Sequence, residues 1–204
     1  MMVTAIVDLD RRRRRVLLDR ETELILYPAD LRQYHIEEGE DLPEESYRQI
    51  LETVLKPRAW ERTLRSLQVS DKTKEELRRL LRRDGYPEEA IQDAVARAEQ
   101  YHYIDDEAYA MRYLECKSGK KSRRQIRQKM QEKGFPKELV DTLLEEHPVD
   151  EREQILKLLE KKGFHPGDVL DEKSYSRSAG MLARKGYPYA IITEILGRPK
   201  AFID

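Results

Sequence analysis

The N-terminal residues follow a pattern of apolar and polar positions that is typical of β-strands. In residues 3–9, side chains on the two faces alternate with a period of two, and the odd-numbered face is apolar. That face carries Val3, Ala5, Val7 and Leu9. Short runs at 14–18 and 23–27 follow, with a turn-like segment at 19–22 between them. The pattern predicts a small β-meander.

Helical patterns replace the strand pattern after this point. Residues 30–34 are expected to form one helical turn. Pro43 suits the first position of a helix running to about Leu55, and Pro57 is expected to end that helix.

From residue 58 onward the pattern is helical and repeats. A Gly–aromatic–Pro tripeptide occurs three times, 49 and then 52 residues apart: Gly85-Tyr86-Pro87, Gly134-Phe135-Pro136 and Gly186-Tyr187-Pro188. The glycine can end one helix in a left-handed conformation, and the proline can occupy the first position of the next. A hydroxyl residue stands twelve positions before each glycine and is predicted to cap a helix: Thr73, Ser122 and Ser174. Two capping boxes are expected, Thr73–Glu76 and Ser122–Gln125.

A further helix is expected before each of these pairs, which gives three helices per repeat and a period near 50 residues. The predicted segments are 1–56 (β-meander plus helix), 57–104, 105–148 and 149–204, the last three being three-helix repeats. In the third repeat the segment from Gly163 to Lys173, with Pro166 and Gly167, is expected to be a loop. The predicted fold is mainly α: an elongated, curved array of tandem three-helix repeats after a small strand-containing region.

The composition of the chain excludes several classes of protein. The 39 Lys and Arg are balanced by 40 Asp and Glu, so contact with a polyanion must come from local patches. One cysteine excludes an intrachain disulfide and a zinc site of several thiolates. No apolar run approaches the ~20 residues needed to span a bilayer, and the N-terminus lacks the pattern of a signal peptide. A soluble, cytoplasmic protein is expected.

A motif at the join of the first two repeats is similar to the RecX family. It reads Tyr103-Ile104-Asp105-Asp106-Glu107-Ala108-Tyr109-Ala110, and the basic stretch that follows leads into a matching segment, 124–135. The resemblance covers about residues 55–196. It implies a protein without catalytic activity that binds the RecA filament on single-stranded DNA and restrains its ATPase, strand exchange, and recombination and SOS activity. In some members it also implies direct binding to DNA.

Two stretches of the chain carry the basic residues that are candidates for contacting RecA or DNA. Residues 116–131 contain seven basic side chains and no acidic one. The candidates are Lys117, Lys120, Lys121, Arg123, Arg124 and Arg127, and, on the equivalent helix of the first repeat, Arg78, Arg79, Arg82 and Arg83. A basic stripe that meets acidic groups or phosphates is one interpretation, and a solvated helix face is the other. The run Arg11–Arg15 is interpreted as a solvated turn.

No pattern in the chain indicates an enzyme. Asp105-Asp106 is interpreted as a helix start rather than a metal site. Residues 117–122 fail the phosphate-loop pattern, and the four histidines are scattered. Cys116 is expected to be a small buried residue, and Trp60 and the tyrosines are expected to fill the core.

No catalytic residue, cofactor, metal or small-molecule substrate is therefore predicted. The protein is expected to act as a monomer and without a membrane. The main hypothesis is a negative modulator of the RecA filament. A DNA- or RNA-binding helical module that acts without RecA stays open as the alternative.

Overall fold

The computed structural model describes residues 1–19, 22–165, 168 and 170–197. Their contacts form two compact units, Met1–Asp105 and Asp106–Asp204. The predicted fold class is confirmed, since a small three-stranded N-terminal sheet precedes tandem three-helix domains. The finer division into four segments stays a prediction.

The first unit begins with the predicted β-meander. Strands β1 (Val3–Asp8), β2 (Arg14–Leu18) and β3 (Glu23–Leu26) are antiparallel in the order β1-β2-β3. The inward faces of β2 and β3 bury Val16, Leu18, Leu24 and Leu26.

The predicted alternation of side chains between the two faces of β1 is wrong beyond its first residues. The pairing register shifts between Val3 and Ala5, and Ile6 packs against the core while Val7 is 46% exposed. A bulge inserts one residue into the strand, and a shift of one residue turns each following side chain to the opposite face.

Helices complete the first unit around the same core. They are α1 (Pro28–Gln33), α2 (Glu44–Ile50), α3 (Lys56–Val69), α4 (Lys74–Arg83) and, closing the repeat, α5 (Glu88–Gln100). Asp30 of α1, which is 4% exposed, accepts two hydrogen bonds from the Arg58 guanidinium of α3 at 2.6 and 2.8 Å. Because this ion pair joins α1 to α3, it fixes the N-terminal segment against the first repeat.

Pro57 does not end the preceding helix, contrary to the prediction. Residues Leu51–Leu55 form a π-helical turn that joins α2 directly to α3, and the Lys56 N–H bonds to the Leu51 carbonyl. Pro57 therefore lies inside a continuous helix, and the wider π-helical turn just before it accommodates a residue that has no N–H to donate to the preceding turn.

The second unit contains two three-helix groups with separate cores. The first consists of α6 (Asp106–Ser118), α7 (Arg123–Lys133) and α8 (Lys137–Glu146), and the second of α9 (Glu151–Glu160), α10 (Glu172–Arg184) and α11 (Tyr189–Leu196). Leu114, Ile126, Met130 and Leu144 fill the first core, and Ile155, Leu159, Leu182 and Ile192 fill the second. Pro166 and Gly167 of the predicted loop lie outside the described residues.

The repeated tripeptide forms the same helix–turn–helix junction in each copy, as predicted. Gly85, Gly134 and Gly186 all have φ of +83° or +84°. The aromatic N–H that follows each glycine bonds to the carbonyl of the apolar residue five positions earlier. The predicted position of the prolines is wrong by one residue: each stands at the cap and not at the first helical position, because its backbone is still extended there.

The glycine at the first junction also makes room for the sheet. A Cβ on Gly85 would overlap Cδ1 of Ile25 and would lie 2.6 Å from its Cγ1. This turn therefore packs directly on strand β3.

The predicted caps are only partly confirmed. Thr73 and Glu76 form the full capping box, whereas Ser122 accepts from the Gln125 N–H at 3.3 Å without the return bond. In the third repeat Asp171 is the cap, not Ser174. Asp171 accepts a hydrogen bond from the Ser174 N–H at 3.0 Å. Aspartate is as good a cap as serine, and because Asp171 lies three residues upstream, the helix begins earlier than predicted.

Candidate partner-binding surface

The acid-free run in the second repeat leaves several cations without an acidic partner. Lys120 and Arg124 are exposed and Lys121 is half-buried. Among the residues that the structure describes, none of the three forms an ion pair. Their charges are therefore available to an anionic partner.

Other predicted residues of the same run are occupied within the protein. The Arg127 Nε lies 3.1 Å from Asp141 of α8, and the Lys117 ammonium lies 5.6 Å from the centre of the Tyr113 ring. Arg123 is half-buried, and its backbone N–H donates to Glu151 Oε1 at 2.9 Å. Of these three residues, only Arg127 forms an ion pair within the described part of the chain.

Contacts with the third repeat fix the start of α7. The Ser122 hydroxyl, which caps α7, donates to the Lys185 carbonyl in the turn between α10 and α11 at 2.7 Å. The next residue in that turn, Gly186, is so close that a Cβ there would lie 3.3 Å from the Arg124 Cβ. As a result the basic run of the second repeat and a turn of the third form one surface.

A small pocket opens on this surface, and we call it the lysine pocket. It has a volume of about 220 Å³. Its lining consists of Gly119, Lys120, Gln125, Gln154, Lys157, Leu158, Lys161, Lys185 and Tyr187. Four of these side chains are lysines and none is acidic, so the lining has a strong positive charge.

Hydrogen bonds hold the floor of the lysine pocket. Gln154 is 6% exposed, and its side-chain oxygen accepts from the Tyr187 hydroxyl at 2.9 Å. The Gln154 amide nitrogen donates to the Ser118 carbonyl. Burial raises the pKa of Tyr187, and the Glu151 carboxylate raises it further, so the phenol stays neutral and keeps donating. The pocket is therefore built on side chains that are fixed before any partner arrives.

The carboxyl group of Glu151 is an unusual feature beside this surface. It is 8% exposed, and burial raises its pKa even though the Arg123 N–H bond and charge act in the opposite direction. The buried carboxylate therefore destabilises the fold at neutral pH relative to a neutral acceptor.

Sequence comparison identifies the family. Residues 59–97 match the first three-helix domain of RecX and residues 105–144 match the second. The regulatory protein RecX of Trichlorobacter lovleyi is 34% identical over 138 residues, which are 65% of this chain and 89% of that protein. RecX of Caldanaerobacter subterraneus subsp. tengcongensis is 30% identical over 148 residues, which are 71% of this chain and 75% of that protein. The chain belongs to the RecX family.

Two solved RecX structures share the fold. A crystal structure of regulatory protein RecX has a TM-score of 0.59 and 22% identity, and the match covers 96% of this chain and 98% of that one. RecX from Lactobacillus salivarius has a TM-score of 0.58 and 20% identity over 69% of this chain and 94% of its own. These two structures support the fold, and the sequence-based resemblance to the RecX family is confirmed by the matches to both RecX domains and to the RecX sequences.

The first RecX domain differs from the second in that its candidate arginines lie beside acidic side chains. All four candidate arginines of α4 have an acidic partner. The pairs and their N–O distances are Arg78–Glu75 (4.0 Å), Arg79–Glu75 (3.0 Å), Arg82–Glu88 (3.0 Å) and Arg83–Asp84 (3.7 Å). The hydrogen bond to Glu88 raises the pKa of Arg82. The four arginines share three carboxylates, and Asp84 also pairs with Arg62, so the positive charge of α4 is partly compensated, unlike that at the start of α7.

The sequence did not reveal three of the lysines in the pocket. Lys157 of α9 and Lys161, the residue at the C-terminal end of that helix, are four residues apart, a spacing that is visible in the sequence. Lys185 precedes the third of the repeated glycines and carried no signal of its own. Their convergence with Lys120 depends on the packing of α9 and the α10–α11 turn against α7.

The RecX motif at the join of the repeats starts a helix, as predicted. Helix α6 begins at Asp106, which is 9% exposed. In the described part of the chain, no group of three or more His, Cys, Asp or Glu is arranged to hold a metal ion. Over the same residues, no helix combines the length and apolar character needed to cross a membrane.

Two expectations about individual side chains are wrong. Cys116 is exposed on α6 rather than buried. Tyr101 and Tyr103 are more than half exposed, because both follow the end of α5 and so lie outside its buried stripe. They cluster with Trp60, their ring centres 5.9–6.2 Å apart, and the Arg97 guanidinium lies 4.5 Å from the centre of the Trp60 ring.

The interpretation of residues 11–15 as a solvated turn is correct only for residues 11–13, because Arg14 and Arg15 belong to β2 and are half-buried. The Asp10 carboxylate accepts from the backbone N–H groups of Arg12 and Arg13, both at 2.8 Å, and so closes the hairpin. Arg14 pairs with Asp8 and Arg15 with Glu23 across the sheet.

Proposed function

We propose that this RecX-family protein binds the RecA filament on single-stranded DNA and lowers its ATPase and strand-exchange activity. It does so by contact and catalyses no reaction of its own. The observation that carries the proposal is the match of both three-helix domains to RecX, because that family consists of proteins named for regulation. This role places the protein in the cytoplasm with the filament, where it acts as a monomer.

The exposed cations of the second repeat are the proposed contact. Lys120, Lys121 and Arg124 are free of acidic partners within the described residues and can meet carboxylates of RecA or phosphates of its DNA. Bound there, the protein blocks the filament groove and shifts the balance between filament growth and loss. The arginines of α4 contribute less to this contact, since the carboxylates beside them offset part of their charge.

The test is the single-stranded-DNA-dependent ATPase of the cognate RecA, measured with substoichiometric amounts of this protein. A progressive fall in ATPase rate supports the proposal, and an effect from few molecules indicates capping or disassembly. No change at stoichiometric amounts of folded protein contradicts it.

A pair of charge-reversal variants localises the contact. Lys120→Glu with Lys121→Glu should weaken the inhibition of RecA at least tenfold, because the charge at the contact is reversed. Lys137→Glu with Lys173→Glu changes the total charge by the same amount at exposed positions on α8 and α10, and it should inhibit like the unmodified protein. Equal inhibition by both variants would exclude this surface as the contact.

The second candidate is a nucleic-acid-binding module that acts without RecA. The acid-free lining of the lysine pocket favours it. Binding to naked single strands as tight as binding to the filament, with a steep dependence on salt, would support this alternative.

A further inference from the structure

A second pocket lies in the first unit, and we call it the arginine pocket. It has a volume of about 430 Å³, and its walls come from the β1–β2 hairpin, strand β3, helix α3 and the turn between α4 and α5. The arginines and tyrosines that line it are Arg13, Arg58, Arg62, Arg65, Tyr27 and Tyr86. Two acidic side chains, Glu61 and Asp84, also belong to the lining, so arginines outnumber carboxylates at the surface of the cavity.

Two of the arginines keep N–H donors that the protein itself does not use. Arg62 donates through its Nε to Asp84 at 2.6 Å, and Arg13 donates through its Nε to Asp10 at 2.8 Å. Within the part of the chain that the structure describes, the terminal nitrogens of both guanidinium groups donate no hydrogen bond. Because a guanidinium has five N–H donors in a planar fork, an acceptor in the pocket can bind these nitrogens while both internal ion pairs stay intact.

The Tyr86 hydroxyl is a further donor in the pocket, and it makes no hydrogen bond to any described residue. Burial raises the pKa of Tyr86, and the neighbouring Tyr27 and Asp84 raise it further. Arg58 and Arg62 act on this pKa in the opposite direction. The phenol is therefore protonated at neutral pH and can donate to an acceptor that enters the pocket.

We propose that the arginine pocket binds a glutamate or aspartate side chain in an acidic segment of a partner protein. The carboxylate accepts hydrogen bonds from the terminal nitrogens of Arg13 and Arg62 and from the Tyr86 hydroxyl. The pocket lies entirely in the first unit, and two of its walls, the hairpin and β3, precede the first RecX domain, which begins at residue 59. The inference does not rest on the proposed inhibition of RecA, since a protein can bind an acidic segment without changing an ATPase rate.

The acidic side chains of the lining favour a carboxylate over nucleic acid. Arginine binds carboxylates and phosphates alike, through two parallel hydrogen bonds from its planar fork. A nucleic-acid strand brings a negative charge with every nucleotide, and Glu61 and Asp84 repel those charges. A peptide can instead place one carboxylate at the arginines and neutral residues beside the two acids.

The surroundings favour a segment of a protein over a small free acid. Arg11 and Arg12 adjoin Arg13 in the chain, and both are exposed, as is Arg65 of α3. Further carboxylates of the same segment therefore meet cations next to the one that is bound in the pocket. Arginine and tyrosine are also enriched among the residues that contribute most of the binding energy between proteins.

The experiment measures the anisotropy of a short fluorescent peptide of alternating glutamate and glycine, with the full chain and without RecA or nucleic acid. The test variant is Arg13→Gln with Arg62→Gln. The matched control is Arg48→Gln with Arg79→Gln, which changes the net charge by the same amount. Both control arginines are exposed residues of the first unit outside the lining, and each has a glutamate partner on its own helix.

The hydrogen bonds that the test variant loses give the expected magnitude. A hydrogen bond to a charged group contributes about tenfold or more to affinity. Because the test variant removes such donors at two side chains, it should bind the glutamate peptide about 10- to 100-fold more weakly. The control variant should bind this peptide like the unmodified chain, and a peptide with glutamine in place of glutamate should bind to none of the three proteins.

A conservative variant separates the shape of the cation from its charge. Arg62→Lys keeps the positive charge and removes the planar fork, so it should bind the glutamate peptide about tenfold more weakly. Full affinity of Arg62→Lys would show that charge alone is sufficient, which contradicts the proposed geometry.

Three further results would overturn the proposal. The first is an unchanged affinity for the glutamate peptide in the test variant. The second is displacement of the peptide by an oligothymidylate, at an equal concentration of negative charge, as effectively as by unlabelled peptide, which would assign the pocket to nucleic acid. The third is equally effective displacement by free glutarate at the same concentration of carboxylate, which would assign the pocket to a small acid.

A milder variant keeps the test valid if the test variant unfolds. Tyr86→Phe removes a hydroxyl that has no hydrogen-bond partner among the described residues, so no internal hydrogen bond is lost. It should weaken binding of the glutamate peptide about two- to tenfold, and an unchanged affinity would contradict the proposal. Weakened peptide binding with unchanged inhibition of the RecA ATPase would support the pocket alone, so the two proposals can fail separately.

Discussion

Replacing Gly85 by alanine tests how the sheet is attached to the first repeat. The substitution should lower the free energy of unfolding in two ways. A left-handed backbone costs a non-glycine residue about 1–2 kcal/mol, and Gly85 has φ +83°. The new Cβ also overlaps the Ile25 side chain, and such overpacking costs about 1–3 kcal/mol more. The free energy of unfolding of residues 1–105 should therefore fall by about 2–5 kcal/mol.

Gly39 supplies the matched control. Its φ is +85°, but no atom lies within 4 Å of the position where a Cβ would stand. Gly39→Ala should therefore show only the backbone cost of about 1–2 kcal/mol. Trp60 is the only tryptophan of the chain and packs against the core of the first unit, so its fluorescence during urea unfolding reports on that unit.

A double variant separates overlap from backbone strain. Ile25→Ala removes the atoms that the new Cβ would meet, so Gly85→Ala should cost about 1–3 kcal/mol less in that background than in the unmodified chain. Equal losses for Gly85→Ala and Gly39→Ala, or no relief from Ile25→Ala, would refute direct packing of the turn on β3.

Two further predictions concern the second unit. Because burial raises the pKa of Glu151, the folded state holds its proton to higher pH than the unfolded state, and stability falls as the pH rises through that range. Glu151→Gln removes this loss, so its thermal midpoint should equal or exceed that of the unmodified chain at pH 7, with the advantage disappearing below about pH 4; a lower midpoint at pH 7 would contradict the argument. Tyr187→Phe leaves the buried Gln154 oxygen without its donor and should cost about 1–3 kcal/mol in chemical unfolding. A stability loss of under about 0.5 kcal/mol would mean that this hydrogen bond does not hold the pocket floor.

Local signals explain why the repeat architecture could be predicted. The junctions at Gly85, Gly134 and Gly186 depend on a left-handed glycine and a following proline, and both requirements lie within a few residues. The third cap was misplaced because Asp171 and Ser174 are both good caps within one turn of each other.

Features that depend on longer-range contacts escaped prediction. The bulge in β1 arises from pairing with β2, and the alternation of apolar residues alone does not reveal it. The ion pairs of the α4 arginines were only partly predictable from the sequence. Glu75 and Arg79 are four residues apart on one helix, but the pair Arg82–Glu88 forms across a turn.

The lysine pocket shows the same limit at the candidate site. The acid-free run identified Lys120 from the sequence alone. Lys157 and Lys185 join it only because Ser122 bonds to the turn between α10 and α11, and because Glu151 at the start of α9 bonds to the beginning of α7. No pattern of residues within a single helix predicts that these lysines come together.

The π-helical turn at Leu51–Leu55 has a consequence for cooperativity. A helix broken at Pro57 would have left the N-terminal segment and the first repeat as neighbours joined by a hinge. The backbone instead stays helical from Glu44 to Val69, and side chains on both sides of the turn, such as Ile50 and Ala59, are buried in one core. The strands and the first repeat are therefore one folding unit, and neither can open without exposing the apolar surface of the other.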